Sequence, residues 1–262
     1  MLMLTHTCML QDTIRAAGIR DIEPDIYIYN IAPDLLTIHP DISAGLTHSI
    51  DRFIEAPVER KKTAYVMYHL LVDDIAHYGE ISLKCAEGFN PDSGGYTYIK
   101  GKNLVGRIIE LHNLIGREIS RGEAAYRSHL IIEMIYDLVI STQIHENQSI
   151  RLLTDAINFT LDKKAEQFCS DMAWLYSIEQ NQALYVLKSA VAYITEERME
   201  RLMNLEGRIR LFTDKFGLRN DNLQFAESIQ TLFRDALNCV ENDDFFHQAA
   251  AAIDDCGWTP SN

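Results

Sequence analysis

Basic residues are scarce in this chain: 24 lysines and arginines face 38 aspartates and glutamates, leaving a net charge of −14. Nucleic-acid duplexes and anionic membrane surfaces are bound through Lys and Arg clusters that are missing here, so neither is expected as a partner. No apolar run approaches the roughly 18 residues of a membrane span, so no integral membrane segment is expected. The opening MLMLTHTCMLQDTIRAAG carries no basic leader and no apolar stretch before a small-residue cleavage site. It does not read as a signal peptide, and the expected location is cytoplasmic. Cysteine is sparse too: Cys8, Cys85, Cys169, Cys239 and Cys256 are odd in number and lack CxxC pairing. That argues against a disulfide framework and against a cysteine zinc site.

Proline thins out along the chain. Pro24, Pro33, Pro40, Pro57 and Pro91 lie early, and only Pro260 follows, which leaves the later part open to long helices. Alternating β-branched patterns are nearly absent, whereas helical periodicity runs through 6–17, 43–55, 58–87, 103–120, 123–145, 149–160, 162–178, 180–216 and 222–240. The expected fold is all-α, a compact multi-helix bundle with a metal cluster between its helices. Residues 1–262 are read as a single domain, with an inserted loop at 89–103 and a C-terminal helical extension from residue 150. IYIYNIA, 26–32, is the one strand-like stretch, ended by Pro33. NIAPDLLTIHPD, 30–41, reads as a proline-punctuated connection. FNPDSGGYTYIKGKN, 89–103, reads as a loop through Pro91, Gly94, Gly95 and Gly101, either a pocket rim or an ordinary exposed connection. The aromatic and aliphatic residues of 174–212 suit a core or a homo-oligomer interface.

What the chain does have is ionisable residues inside apolar helices. In YHLLVDDIAHYGE, 68–80, His69, Asp73 and His77 recur every four residues and so share one stripe of a helix that is apolar nearly all round. Asp74 lies about 100° off that stripe and is expected beside the site or at the surface. SHLIIEMIYDLVI, 128–140, repeats the arrangement with His129, Glu133 and Asp137. Buried carboxylates are costly without partners, and Lys and Arg are scarce around them. Either these groups hydrogen-bond one another in the core or divalent ions neutralise them, and the coincidence on two helices favours ions. Imidazole and carboxylate donors suit zinc, and manganese or iron also use them. Upstream, Asp34 follows Pro33 in the loop, His48 lies on the 43–55 helix, and His6 sits near the start of the first helix. His39 is set aside, as are His112, His145 and His247, which read as surface residues.

Taken together, PDL at 33–35, His48, HLLVD at 69–73, His77 and HLIIEMIYD at 129–137 resemble the zinc-dependent phospholipase C family and its P1-type nuclease relatives. The likeness spans residues 6–137. It implies a helical protein in which Asp34, His48, His69 and Asp73 form one zinc site and His77, His129 and Glu133 a second. Asp73 would bridge to a third ion, with His6 on the first helix. In the family that third site also uses an N-terminal Trp, where this chain has Met1. Residues 78–128 are longer than the family's connection at that point.

Two divalent ions would outweigh the charges of Asp34, Asp73 and Glu133 and make the site positive within a negative protein, attractive to phosphate. The expected activity is hydrolysis of a small phosphoester by metal-activated water, with two or three zinc ions and with Asp34 orienting or deprotonating the water. The alternatives are a helical di-iron oxidase of the heme-oxygenase-like kind and a non-enzymatic helical binding protein with a degenerate metal site. HD-type phosphohydrolases need an adjacent His-Asp pair, and none of the nine histidines precedes Asp.

Overall fold

A computed structural model describes residues 1–82, 92–144, 148–218, 222–240 and 244–260. It is a bundle of helices with no strand among the described residues. In chain order the helices are α1 Met3–Ala16, α2 Ile26–Leu35, α3 Ala44–Thr47, α4 Ala64–Tyr78, α5 Tyr96–Gly101, α6 Val105–Asn113 and α7 Arg121–Val139. They continue with α8 Gln148–Phe159, α9 Ala165–Tyr176, α10 Gln180–Tyr193, α11 Glu196–Leu202, α12 Leu205–Phe216, α13 Leu223–Cys239 and α14 Asp244–Asp255. Short 3-10 segments, Val58–Thr63 and Lys102–Leu104, precede α4 and α6, and π turns extend α7 over Ile140–Ile144 and α8 over Thr160–Lys164.

The centre of the bundle is α2 against α4, with α1 and α8 on the other sides of α2. The expected strand at 26–32 is helix α2 instead. A continuous apolar run does not distinguish a buried strand from a buried helix, and IYIYNIA is buried along its whole length. The Asp25 carbonyl accepts from the Ile28 and Tyr29 amides and starts the turn. Pro33 does not end it: the ring sits in the last turns of α2, which carries on to Leu35. The connection expected at 30–41 is therefore mostly helical.

The helix expected over 43–55 is reduced to one turn. Ser43 caps α3 by accepting from the Leu46 amide, and the chain then leaves helical geometry at His48. Arg52 explains the break. Its Nη1 donates to the carbonyls of His48 and Ile50, occupying acceptors a helix would use, while Nε and Nη2 reach Asp74 at 3.1 and 2.8 Å. The helix expected over 58–87 ends at Gly79, whose φ of +80° suits glycine. The second half of the loop expected at 89–103 is helix α5, and residues 83–91 lie outside the described residues. The helix expected over 180–216 is three: Thr195 caps α11 and Asn204 caps α12 with side-chain acceptors.

The C-terminal half closes over the same core. α10 packs on α8 and α9, and α12 packs on α7. Arg208 of α12 reaches Asp137 of α7 at 2.7 Å, and the other Asp137 oxygen accepts from the Thr5 amide and hydroxyl at 2.8 and 3.1 Å. This buried pair joins three helices at one point. No helix among the described residues is long and apolar enough to cross a membrane.

Candidate metal centre

Five elements bring the ionisable residues of the apolar helices to one place. α1 carries His6, α2 carries Asp34, the end of α3 carries His48, α4 carries His69, Asp73 and His77, and α7 carries His129 and Glu133. They form three groups whose ligand atoms lie within 4.8 Å of one another: His6, His69 and Asp73; Asp34, His48 and His69; and His77, His129 and Glu133. All eight residues singled out in the sequence belong to these groups. Asp34 comes from the last turn of α2 rather than from a loop, and His48 follows a single turn rather than riding on a long helix.

Asp73 is the hub. Its Oδ1 lies 3.3 Å from His6 Nε2, and its Oδ2 lies 3.4 Å from both His48 Nε2 and His69 Nε2. His48 Nε2 is also 3.7 Å from Asp34 Oδ1. The α-amino group of Met1 sits between two groups, 2.5 Å from Asp73 Oδ1 and 3.2 Å from Glu133 Oε1. Across the centre, His77 Nε2 is 2.7 Å from Glu133 Oε1.

The electrostatics follow from burial set against these neighbours. Burial lowers His6, and it lowers His69 and His129 to about 4, so these imidazoles are neutral near pH 7. His48 goes the other way: burial opposes its charge, but Asp73 and Asp34 raise it. Burial works against Asp73, yet the Met1 amine, His69 and His6 hold it well below the carboxylate range. Glu133 is likewise lowered against burial by that amine and His77. Asp34 is raised, burial outweighing His69 and His48. Burial also opposes the amine's own charge, but Asp73, Glu133 and Asp34 push it up to about 11. A positive charge is thus held at the point where the carboxylates converge.

The donor set fits a metal ion. The His6 and His69 rings stack at 3.6 Å with 15° between planes, and neither ring's nitrogens make a hydrogen bond among the described residues. Buried polar atoms are ordinarily satisfied, and buried neutral imidazoles aimed at carboxylates are what a divalent cation takes as ligands. Five imidazoles and three carboxylates are present, without a thiolate among them.

Local packing fixes the ligands. The turn at 92–97 closes the end of α4 under His77: Thr97 Oγ1 donates to the Ala76 carbonyl at 2.9 Å, and Ser93 Oγ donates to the His77 carbonyl. Gly95 lies flat on that backbone, where an added Cβ would stand 2.1 Å from the His77 carbonyl carbon. Asn30 Nδ2 donates to the His6 carbonyl at 2.9 Å, tying α2 to α1 beside the stacked rings. Asp74 does not join the centre. It is fully buried and paired with Arg52, so it braces the segment that carries His48.

Several neighbours escaped the sequence reading. Tyr98 and Tyr126 flank the His129 ring at 4.9 and 5.0 Å; Tyr126 lies three residues before His129 on α7, a spacing that places both on one helix face, whereas no spacing signal links Tyr98 to them. The Tyr176 hydroxyl of α9 is buried with no hydrogen-bond partner among the described residues; burial raises it, and the charge of Asp34 adds to that. His112, read as a surface residue, is fully buried: Nδ1 bonds the Ile108 carbonyl and Nε2 faces Arg127. His247 is exposed, His39 stands away from the groups beside Tyr185, and His145 lies outside the described residues. Comparison with family models, with curated proteins and with solved structures finds no match for this chain.

Proposed function

We propose that this chain is a metal-dependent hydrolase of phosphoesters, with His6, Asp34, His48, His69, Asp73, His77, His129 and Glu133 holding two or three zinc ions. The likeness of the ordered ligand series to zinc-dependent phospholipases C and P1-type nucleases supports the reading. The observation that carries it is the convergence of three ligand groups on one buried centre, with Asp73 in contact with histidines from three elements. Divalent ions bound there supply Lewis acidity toward a phosphoryl oxygen and a lowered pKa for coordinated water.

The chain's own residues do the rest. Asp73 and Glu133 are buried carboxylates that set the local negative potential, while the His6, His69 and His129 imidazoles stay neutral and keep lone pairs available. Asp34 differs from them in position, because it also lines a cavity that opens beside the centre. A carboxylate at that edge orients an attacking water and accepts its proton. The apolar residues of α4 and α7 keep bulk water from the opposite sides of the centre.

The test pairs elemental analysis with a panel of phosphomonoesters, phosphodiesters, nucleotides and phospholipids. Zinc together with turnover of one class, lost in Asp34→Asn while zinc stays on the His77, His129 and Glu133 group, is the expected result. Iron with oxygen consumption would overturn the hydrolase reading in favour of a di-iron oxidase. Finding neither stoichiometric metal nor turnover of any class would leave a non-enzymatic binding protein with a degenerate metal site.

A further inference from the structure

Asp34 is shared between the candidate centre and a cavity of about 450 Å³ walled by the C-terminal helices. Ile38 lines it from the segment after α2, Met199 and Leu202 from α11, and Leu211 from α12. Its size is in the range of pockets that enclose small ligands. Its wall is mostly carbon, with a buried guanidinium set into it: Arg208 lines the cavity, is only 2% exposed, and its Nε has no hydrogen-bond partner among the described residues. Its Nη2 is already engaged with Asp137. Nε itself is closed off from the cavity by its neighbours, so Arg208 is part of the wall and not a contact for what enters.

We infer that this cavity receives the substituent of the phosphoester, and that the substituent is one aryl or short alkyl group. The inference rests on the phosphoester reading and deepens it. The phosphoryl group lies at the metal centre, the ester bond passes Asp34, and the apolar group is enclosed by α11 and α12. Substrate choice is thereby assigned to the C-terminal helices, which contribute no metal ligand. Met199 and Leu202 are half-buried, on the rim side of the wall, so larger side chains at these positions fill the space without displacing the core.

The experiment uses the full chain supplemented with zinc and two probes that cannot be hydrolysed, naphthylphosphonate and methylphosphonate, titrated by calorimetry. Naphthylphosphonate is expected to bind wild type at least tenfold more tightly. Met199→Trp and Leu202→Trp are expected to cut that preference to threefold or less, with methylphosphonate affinity and zinc content unchanged. Equal affinity of the two phosphonates for wild type overturns the inference, whether or not the tryptophan variants fold. So does a preference that survives both fillings. Hydrolysis of naphthyl and methyl phosphoesters with the same kcat/KM also overturns it while sparing the hydrolase reading. The naphthyl preference without hydrolysis of any ester sustains the cavity's role as an apolar-group pocket and removes the hydrolase reading.

Discussion

Replacing Asp137 by Asn keeps the shape of the side chain and removes its charge, which isolates what the pair with Arg208 contributes. Both residues are 2% exposed, and the guanidinium stands 2.7 Å from the carboxylate. In Asp137→Asn the amide oxygen still accepts from the Thr5 amide, but Arg208 is left as a buried cation with no counter-charge. Stranding one partner of a buried ion pair costs about 3–5 kcal/mol. For a chain of this size each kcal/mol is worth roughly 2–4 °C, so Tm should fall by on the order of 10 °C. Adding Arg208→Met removes the stranded charge, and the double variant should return to within about 1–2 kcal/mol of wild type. Urea unfolding followed by circular dichroism at 222 nm reads all three proteins. Because Thr5 precedes His6, the single variant should also weaken metal retention. A loss below about 1 kcal/mol in Asp137→Asn, or no recovery in the double variant, would refute the claim that this pair latches α12 to α1 and α7.

Two further outcomes follow from local geometry. Gly95→Ala places a methyl group 2.1 Å from the His77 carbonyl carbon and 2.6 Å from the Ala76 carbonyl oxygen; both are backbone atoms, so the end of α4 must move. Stability should fall by about 1–3 kcal/mol, and calorimetry should show weaker zinc binding, whereas unchanged binding would mean that the turn does not position His77. Glu23 tests the surface electrostatics. Hydrogen bonds from Lys164 and Lys62 depress its pKa to about 2, so its contribution is present above its unfolded value near 4.5 and is lost as pH falls towards 2. The side chain is 49% exposed, which limits that contribution to about 1 kcal/mol or less. Thermal melts of wild type and Glu23→Gln should therefore differ slightly at pH 6 and coincide at pH 2; a gap that widens with acid would contradict the sign.

The candidate site was legible where helical spacing alone places residues. His69, Asp73 and His77, and His129 and Glu133, recur every four residues on helices too apolar to be surface helices, and that pattern is local. Asp34 and His48 were identified as residues but misplaced in their elements. A proline and an unbroken apolar run mimic a strand and a loop, and the burial that turns 26–35 into helix comes from α1, α4 and α8. The unwinding after His48 depends on Arg52 reaching Asp74 twenty-two residues away. Contacts across the bundle left no periodic trace at all. Tyr98 beside His129, Arg208 on Asp137, and the C-terminal wall of the cavity depend on tertiary packing, as does the burial of His112 against Arg127.

The central claim is that the three ligand groups hold metal, and elemental analysis of the purified chain tests it most directly. After zinc supplementation and desalting, wild type should retain about two or more equivalents per chain. His69→Ala, which withdraws a ligand from two groups, should lose more than His129→Ala, which withdraws one from a single group. Retention of less than about half an equivalent by folded wild type, or equal metal content in wild type and both variants, would contradict the account.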